Sequence, residues 1–591
     1  MRTRRFAFSP HHAALIVVLI GFAALAWAYS QTPIFEAPDE IEHYRYARTL
    51  RDTGALPDPT GQVRGQYHQA PLYYLLLAPV LALLPPDSDF EQIDGRLNPF
   101  YGRWFTVPGN DNKHLYLHTR AEAWPYGSAT ALAVHTLRGV SILLGLVTVC
   151  AVYRIGRRLW PETPGRALLA AGITAFYPLF LYINGVLNND SLLTCLAALL
   201  LWALIVQHQD GISAARSIGI GVLCGAVLLT KVSGVALMGV VGLAFLIHPA
   251  ATQRRLHYGV LAGVVAAGLA GGWYVRNLLL TGDLTGVAAM LVTWPDERIG
   301  GVALDVGIPR LAWTYQTAWA RFGHGAVPVA AALYRLFDAL IALAGIGLAI
   351  ALVRALRQRA VHWHEVTLIG AFGAVWVVNT VYLASVAWSG NQGRYLLPGI
   401  AALALAGALA FDALCPRRAR PVMRFIGVAA WAALAALILG RYLLPAYQPY
   451  PLPGVIEKPM DIRYQGDIAL IGTSTDVLRA APGETVEVWL YWRASAPGTD
   501  ELRNFVHSLE NAAVRIDSYP AGGNRLAGDW QPGETWAERW RIAVPPDAPP
   551  GTLTLIAGWY DAATGQTLGV VDATGAPSDA LPIIARLEVV G

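Results

Sequence analysis

About eleven apolar runs recur up to residue 444, and they constrain the fold of this chain more than any other feature. They lie near residues 12–29, 132–152, 166–183, 190–206, 216–230, 232–247, 257–275, 331–352, 365–386, 395–414 and 424–444. A helix needs about 20 mostly apolar residues to cross a bilayer. The chain is only 14% charged, whereas soluble proteins carry about 25% charged residues. The sequence therefore predicts a polytopic α-helical membrane protein with about 11 spans.

The distribution of arginine predicts the orientation of these spans. If the N-terminus is inside, the loops that face the cytoplasm are the arginine-rich ones, as the positive-inside rule requires. These residues are Arg154, Arg157, Arg158, Arg166, Arg216, Arg254, Arg255, Arg354, Arg357, Arg359, Arg417, Arg418, Arg420 and Arg424. Because many spans follow the first, we interpret that segment as an uncleaved anchor. We expect a multi-pass protein of the plasma (inner) membrane with a cytoplasmic N-terminus.

The character of the sequence changes after residue 450. Residues 485–492 and 553–559 alternate polar and apolar side chains, and turn signals such as Gln-Pro-Gly-Glu separate such segments. This pattern is typical of a β-sandwich. We therefore expect a transmembrane domain over residues 1–450 and an extracytoplasmic β-sandwich over residues 451–591. The first outer loop, residues 30–131, contains the apolar run 70–84, which is too short to span and predicts an interfacial or re-entrant helix.

An acidic cluster, Pro38-Asp39-Glu40-Ile41-Glu42-His43, follows the first span directly. If a helix begins at Pro38, Asp39 and His43 are four residues apart and share a face. A carboxylate beside an imidazole can act as a general base or bind a cation, so Asp39, Glu40 and His43 could hold a divalent metal. Proline followed by acidic residues is also an ordinary helix start. The spacing alone leaves both interpretations open, and nothing in it demands a metal.

Several short motifs follow one another along the chain. They are Ala-Pro-Asp-Glu-x-x-His-Tyr at residue 37, His-Gln-Ala-Pro-Leu-Tyr-Tyr at 68, Leu-Arg-Gly at 137, Asn-Asn-Asp-Ser-Leu at 188, Leu-Thr-Lys at 229 and Gly-Arg-Tyr-Leu-Leu-Pro at 393. Their order resembles that in the GT-C superfamily of polyprenyl-phosphate-sugar-dependent glycosyltransferases. The resemblance covers roughly residues 10–415 and is strongest to the protein mannosyltransferase and aminoarabinose-transferase-like branch, glycosyltransferase family 39. It implies that Asp39, at the start of the first outer loop, is the catalytic base.

The resemblance also implies a phosphate contact before the Pro-Leu-Tyr element. Family members often carry a lysine there, where this chain has His68 and Gln69. A histidine replaces a lysine cation only when it is protonated. The sequence therefore leaves the phosphate contact at His68 and Gln69 open.

Four further residues at the predicted outer ends of spans are candidates for binding the substrate. Arg394, beside Tyr395, can hold a phosphate through two hydrogen bonds, although a snorkelling interfacial arginine is the alternative. Arg276 has the same two interpretations. Asp190 is either a helix N-cap or a contact to the substrate or to a metal. Lys231, between two short apolar segments, is interpreted as a solvated turn residue in preference to a phosphate ligand.

These features together favour an inverting glycosyltransferase that acts on the extracytoplasmic side. The expected partners are a polyprenyl-phosphate sugar donor, membrane lipid, and a glycan, lipid or protein acceptor. Nucleic acid is not expected, because the net charge is +4 and there is no basic tail or stripe. The alternatives are a transporter or flippase for lipid-linked or envelope glycans, and a non-catalytic surface protein whose sandwich binds a glycan. A transporter predicts ionisable residues in the middle of the spans, whereas here the acids cluster in outer loops.

Overall fold

The computed structural model describes residues 10–60, 65–101, 112–295, 304–359 and 362–590. The chain forms two compact units. The first comprises Met1–Gln31, Ala37–Pro85 and Ala133–Gly440, and the second comprises Thr32–Glu36, Pro86–Leu132 and Arg441–Gly591. The second unit therefore contains part of the segment 30–131, which the sequence predicts as the first outer loop, in addition to the C-terminal region.

Among the described residues, eight helices are long and apolar enough to cross a membrane. They are Pro10–Tyr29, Ala129–Leu159, Asp190–Asp210, Thr252–Thr281, Ala331–Arg357, Trp363–Val386, Gly393–Leu414 and Arg420–Ala446. The first turns of Gly393–Leu414 are 3-10 helix (Gly393–Gly399), and Leu439–Leu443 is a π-helical segment. The predicted polytopic helical fold is confirmed.

Three of the predicted spans differ from a straight helix of spanning length. The run at 166–183 is a helix pair, Pro164–Ala175 and Pro178–Asn184, bent by 61°. Pro178 explains the bend, because a proline disfavours helical backbone at the residue before it. The runs at 216–230 and 232–247 form the shorter apolar helices Ala214–Leu228 and Val232–Leu246. The predicted helix at 70–84 is Leu72–Ala82.

The remaining helices are short or connect the spans. The α-helices are Glu40–Thr53, Phe90–Asp94, Val287–Thr293 and Leu304–Trp319. The separate 3-10 turns are Arg120–Glu122, Gly323–Gly325, Trp388–Gly390, Pro520–Gly523 and Ala527–Asp529. Two short strands, β1 (Arg321–Phe322) and β2 (Val327–Pro328), pair antiparallel in the first unit.

The span Gly393–Leu414 is anchored at its C-terminal end by a buried carboxylate. Asp412 accepts hydrogen bonds from Arg166 Nε at 2.5 Å and from Arg424 Nε and Nη2 at 2.8 and 2.6 Å. The two arginines neutralise the carboxylate, because an unpaired charge at this depth would be costly. These contacts fix the span that carries Arg394 at its opposite end.

The second unit contains two five-stranded sheets. One has the order β5-β12-β10-β7-β8 and the other β11-β3-β4-β6-β9. The strands are β3 Lys458–Tyr464, β4 Ile468–Thr473, β5 Val477–Ala480, β6 Thr485–Ala494, β7 Leu502–Ser508, β8 Arg515–Ser518, β9 Thr535–Ala543, β10 Gly551–Asp561, β11 Val570–Val571 and β12 Ile583–Val589. Neighbouring strands are antiparallel apart from β5 and β12, which are parallel.

One apolar core joins the inner faces of both sheets, so the C-terminal region is a β-sandwich, as predicted. Trp492 of β6 and Trp559 of β10 are fully buried, with ring centroids 5.0 Å apart. Trp530, Trp536 and Trp540 are buried in the same core. These five tryptophans stabilise the sandwich and are not exposed as a sugar-binding surface.

Candidate active site

Asp39 lies immediately before the helix Glu40–Thr53 and has a left-handed backbone conformation, with φ of 65° and ψ of 6°. The shared face of Asp39 and His43 is inferred from the sequence on the condition that this helix begins at Pro38. The structure begins it two residues later, so Asp39 is the N-cap and not a residue of the first turn. Left-handed backbone is uncommon outside glycine, and aspartate and asparagine tolerate it best. Because of this conformation, the Asp39 carboxylate points in a different direction from the carboxylate of Glu40, the next residue.

The Asp39 carboxylate is paired with the guanidinium of Arg394. Arg394 Nη2 donates a hydrogen bond to Asp39 Oδ2, and Arg394 Nη1 donates one to the Pro38 carbonyl at 3.4 Å. The Asp39 side chain is 34% exposed, whereas that of Arg394 is 4% exposed. Partial burial raises the pKa of Asp39, but the nearby cations outweigh it and hold that pKa well below its usual range. Asp39 is therefore an ionised and accessible carboxylate at neutral pH.

A second ion pair joins Asp190 and Lys231. Lys231 Nζ donates to Asp190 Oδ1 at 2.6 Å, and both side chains are buried. Asp190 is the first residue of the helix Asp190–Asp210, and Lys231 lies in the break between two short helices. The structure therefore differs from the solvated turn residue that the sequence favours for Lys231. The Asp190 carboxylate neutralises the buried Lys231 cation, which would be costly to bury alone.

Arg394 links the two ion pairs into one charged cluster, which we define as Asp39, Arg394, Asp190 and Lys231. Arg394 Nε lies 3.7 Å from Asp190 Oδ2. Neither of these two buried atoms makes a hydrogen bond with the described residues. The Tyr395 ring faces both cations, with Lys231 Nζ at 5.2 Å and the Arg394 guanidinium at 5.4 Å from its centroid. The cluster thus keeps hydrogen-bonding capacity for a further polar group.

Glu40, next to Asp39 in the sequence, makes different contacts. Its carboxylate accepts two hydrogen bonds from Arg138, from Nε at 2.8 Å and Nη2 at 2.6 Å. Both side chains are completely buried. The Leu187 amide donates to Glu40 Oε1 at 2.8 Å, and Arg138 Nη1 donates to the Ser30 carbonyl at 2.6 Å. Glu40 therefore joins three separate segments of the first unit.

Part of the first unit is similar to a known protein family. Residues 130–271, about a quarter of the chain, match the family described as dolichyl-phosphate-mannose-protein mannosyltransferase. This match places the segment in the GT-C superfamily of membrane glycosyltransferases. The segment contains Asp190 and Lys231 of the charged cluster. No protein with a curated description matches the chain.

Three solved structures resemble the chain weakly. ArnT from Cupriavidus metallidurans in the apo state has 17% identity and a TM-score of 0.42, covering 72% of this chain and 64% of ArnT. ArnT bound to undecaprenyl phosphate has 15% identity and a TM-score of 0.42, covering 73% of each chain. The Archaeoglobus fulgidus oligosaccharyltransferase, in complex with Zn and sulfate, has 14% identity and a TM-score of 0.37, covering 73% of this chain and 52% of that one. This chain thus spans less than two thirds of apo ArnT.

The two histidines predicted from the GT-C motifs are neutral in this environment. His43 Nδ1 lies 2.8 Å from the Tyr74 hydroxyl, and its ring stacks on that of Tyr74. Burial lowers the pKa of His43 to about 3 and that of His68 to about 4. His68 Nε2 lies 3.1 Å from Gln69 Nε2 and accepts its hydrogen bond. His68 therefore supplies no positive charge in place of the lysine that GT-C relatives often have.

Gln69 contacts the segment that precedes Asp190. Asn189 Nδ2 donates to Gln69 Oε1 at 3.4 Å. Arg276 is held elsewhere, since its Nη2 donates to the Pro57 carbonyl at 2.7 Å and its guanidinium lies 5.1 Å from the Trp273 ring centroid. The structure thus brings Asp39, Asp190, Arg394 and Tyr395 together and leaves Arg276 with other partners.

The structure does not group Asp39, Glu40 and His43 as metal ligands. Glu40 is directed to Arg138, and His43 to Tyr74. Among the described residues, one set of three or more metal-ligating side chains has its ligand atoms within 4.8 Å of one another, and it comprises Glu36, His114 and His118. All three belong to the second unit. This set is not among the residues predicted from the sequence, although the His-x-x-x-His spacing of His114 and His118 is a sequence signal for it.

Proposed function

We propose that this protein transfers a sugar from a polyprenyl-phosphate donor to an acceptor hydroxyl on the extracytoplasmic side, with inversion at the anomeric carbon. The charged cluster is the observation that carries this proposal. It combines one accessible carboxylate with two buried cations. A carboxylate that accepts a proton and cations that stabilise a phosphate are the two functions that such a transfer requires.

In this mechanism Asp39 is the general base. The acceptor oxygen attacks C1 of the sugar from the face opposite the lipid phosphate, and its proton passes to Asp39 Oδ. The bond between C1 and the phosphate oxygen breaks, and its electron pair leaves with the lipid phosphate. A single displacement of this kind inverts the configuration at C1.

Arg394 has a second role, because the donor phosphate competes with Asp39 for its guanidinium. A planar guanidinium holds two phosphate oxygens by parallel hydrogen bonds. Its Nε also has no hydrogen-bond partner among the described residues. As Arg394 turns towards the phosphate, Asp39 loses its strongest cationic partner and its proton affinity rises. Donor binding would thus both fix the leaving group and activate the base.

Two further observations support a lipid-linked donor and the outer side of the membrane. The matching family is named for a dolichyl-phosphate sugar, and no nucleotide-binding glycine loop is evident in the sequence. The arginine-rich loops favour a cytoplasmic location for the opposite ends of the spans. The C-terminal β-sandwich would then be extracytoplasmic.

The deciding experiment is incubation of the purified full-length protein with a radiolabelled polyprenyl-phosphate sugar in detergent. We expect transfer to an added hydroxyl acceptor, or slow hydrolysis of the donor. A transporter would instead move the donor across proteoliposomes and leave its phosphate bond intact. A non-catalytic glycan-binding protein would do neither. Intact donor after prolonged incubation with several sugars and acceptors would contradict the proposal.

Replacing Arg394 tests its contact with the phosphate. We expect Arg394→Lys to lower kcat/KM by about 10²–10³-fold, because lysine keeps the charge but loses the bidentate geometry. The matched control is Arg357→Lys, an exposed position at the end of the helix Ala331–Arg357. Transfer kinetics with a fixed acceptor measure both. A change of less than threefold in Arg394→Lys would remove Arg394 from the phosphate site.

The pH dependence of activity tests the ionisation states in the site. The pKa of Asp39 lies below its usual value, and those of His43 and His68 are about 3 and 4. None of these groups changes its charge near neutrality in the free enzyme. We therefore expect kcat/KM to be flat between about pH 5 and 7 and to fall only at lower pH, where Asp39 gains a proton. A fall in kcat/KM as the pH rises through about 6 would instead indicate that the reaction requires a protonated histidine.

A further inference from the structure

Three side chains of the second unit converge on one point without being used in the proposed reaction. Glu36 Oε1 lies 2.9 Å from His118 Nε2 and 3.5 Å from His114 Nδ1. Glu36 and His114 are buried, and the His118 side chain is 10% exposed. The two histidines flank Tyr116, which pairs with Leu97 in a short antiparallel bridge. Residues two positions on either side of a bridged residue share a face of an extended chain.

The partners of these residues fix their orientation. The amides of Leu115 and Tyr116 donate to Glu36 Oε2 and Oε1 at 2.9 and 3.1 Å. On the far side of the His118 ring, Nδ1 lies 2.6 Å from Glu122 Oε2. A carboxylate on the remote nitrogen of a histidine is the usual support of a metal-ligating imidazole. Arg96 Nη2 in turn lies 3.1 Å from Glu122 Oε1.

His114 supplies a second, independent observation. It is 1% exposed, and neither of its ring nitrogens makes a hydrogen bond of ordinary geometry within the described ranges. A buried polar group without a partner costs about 1–3 kcal/mol. A positive ion on the Glu36 side of the ring would satisfy its Nδ1 atom.

We propose that Glu36, His114 and His118 bind a divalent transition-metal ion of the zinc type. Two imidazole nitrogens and one carboxylate oxygen are ligands that Zn²⁺ takes in tetrahedral sites, where ligand atoms lie about 3.3 Å apart. The distances of 2.9 and 3.5 Å to Glu36 Oε1 bracket that separation. The ion stabilises the fold of the second unit, because it joins the segment Thr32–Glu36 to residues 112–122. It takes no part in the proposed transfer.

The alternative is a metal-free ion pair in which a protonated His118 bridges Glu36 and Glu122. That arrangement leaves both ring nitrogens of His114 without a hydrogen bond of ordinary geometry among the described residues, so it does not explain why this ring is buried 3.5 Å from Glu36. The two arrangements predict different results when zinc is added. A metal site gains thermal stability on binding the ion, whereas a metal-free ion pair does not.

The test uses the full-length protein, purified in detergent without a polyhistidine tag and treated with a chelator. We expect it to bind about one equivalent of Zn²⁺ or Co²⁺, with the visible absorption of tetrahedral Co²⁺, and to gain thermal stability on binding. His114→Ala and Glu36→Gln should abolish binding. Glu122→Gln keeps the three ligands and should weaken binding by about 10–100-fold.

The matched control is His507→Ala, a histidine of the same unit that also faces a carboxylate, Asp517, at 3.3 Å. Its metal binding should equal that of the wild type. If His114→Ala does not fold, the affinity of Glu122→Gln decides. Wild-type protein that binds no metal would overturn the proposal. So would binding that is unaffected by Glu122→Gln and His114→Ala, or binding that is lost in Asp39→Asn.

Discussion

Asp39→Asn is expected to lower kcat for sugar transfer by about 10²–10⁴-fold, the usual contribution of a general base. Asparagine has nearly the same size and tolerates the left-handed backbone at this position as well as aspartate does. The fold should therefore be preserved. Because the variant no longer holds Arg394, the KM for the donor should be unchanged or lower. Steady-state kinetics with separate variation of donor and acceptor measure both effects.

The matched control for this experiment is Asp52→Asn at the other end of the same helix. The side chain of Asp52 is 47% exposed and pairs with Arg51 and Arg48 on the surface. We expect wild-type kinetics from it. Normal transfer by Asp39→Asn at wild-type expression would exclude Asp39 as the base. A higher donor KM with unchanged kcat would assign Asp39 to donor binding.

Among these substitutions, Glu40→Gln is expected to have the largest effect on stability, although Glu40 is adjacent to Asp39, the proposed base. It removes the carboxylate that neutralises Arg138, and both side chains are 0% exposed. Breaking a buried ion pair on one side costs about 3–5 kcal/mol, because the remaining charge stays buried without compensation. Thermal unfolding of the full-length protein in detergent should show a clearly lower Tm, and the yield of folded protein should fall.

A double variant, Glu40→Leu with Arg138→Met, separates the charge from the local packing. An apolar pair of similar volume often replaces a buried ion pair at little cost. Recovery should be partial, because the Leu187 amide and the Ser30 carbonyl lose their partners at about 1–3 kcal/mol each. A Glu40→Gln protein with the Tm of the wild type would contradict this assignment, as would a double variant less stable than either single variant.

The sequence predicts the fold well because the membrane and the sheet impose strong patterns. Apolar runs identify the helices, and alternation at residues 485–492 and 553–559 coincides with β6 and β10. The candidates Asp39, Asp190 and Arg394 were also detectable, since charges at the ends of apolar runs are costly and usually functional. Their pairing was not detectable, because it depends on how distant helices pack.

Two residues show where the pattern was insufficient. Glu40 and Asp39 are neighbouring carboxylates after the first span, and the sequence does not distinguish their roles. The left-handed backbone of Asp39 directs the two side chains to different partners. Lys231 has the sequence environment of a solvated turn, but the structure buries it against Asp190. In both cases the role of the side chain depends on the backbone at a helix end, namely left-handed Asp39 and the helix break at Lys231. The pattern of apolar residues does not reveal such backbone features.

The distance along the chain between ion-pair partners has a consequence for biosynthesis. Glu40 and Arg138 are 98 residues apart, and Asp39 and Arg394 are 355 residues apart. At about 5–20 residues per second, Arg394 is synthesised roughly 20–70 s after Asp39. The pair between Glu40 and Arg138, at the start of the helix Glu40–Thr53, can therefore form early. At that stage Arg394, the partner of Asp39, has not been synthesised. The proposed site would therefore be complete only after about two thirds of the 591 residues have been synthesised.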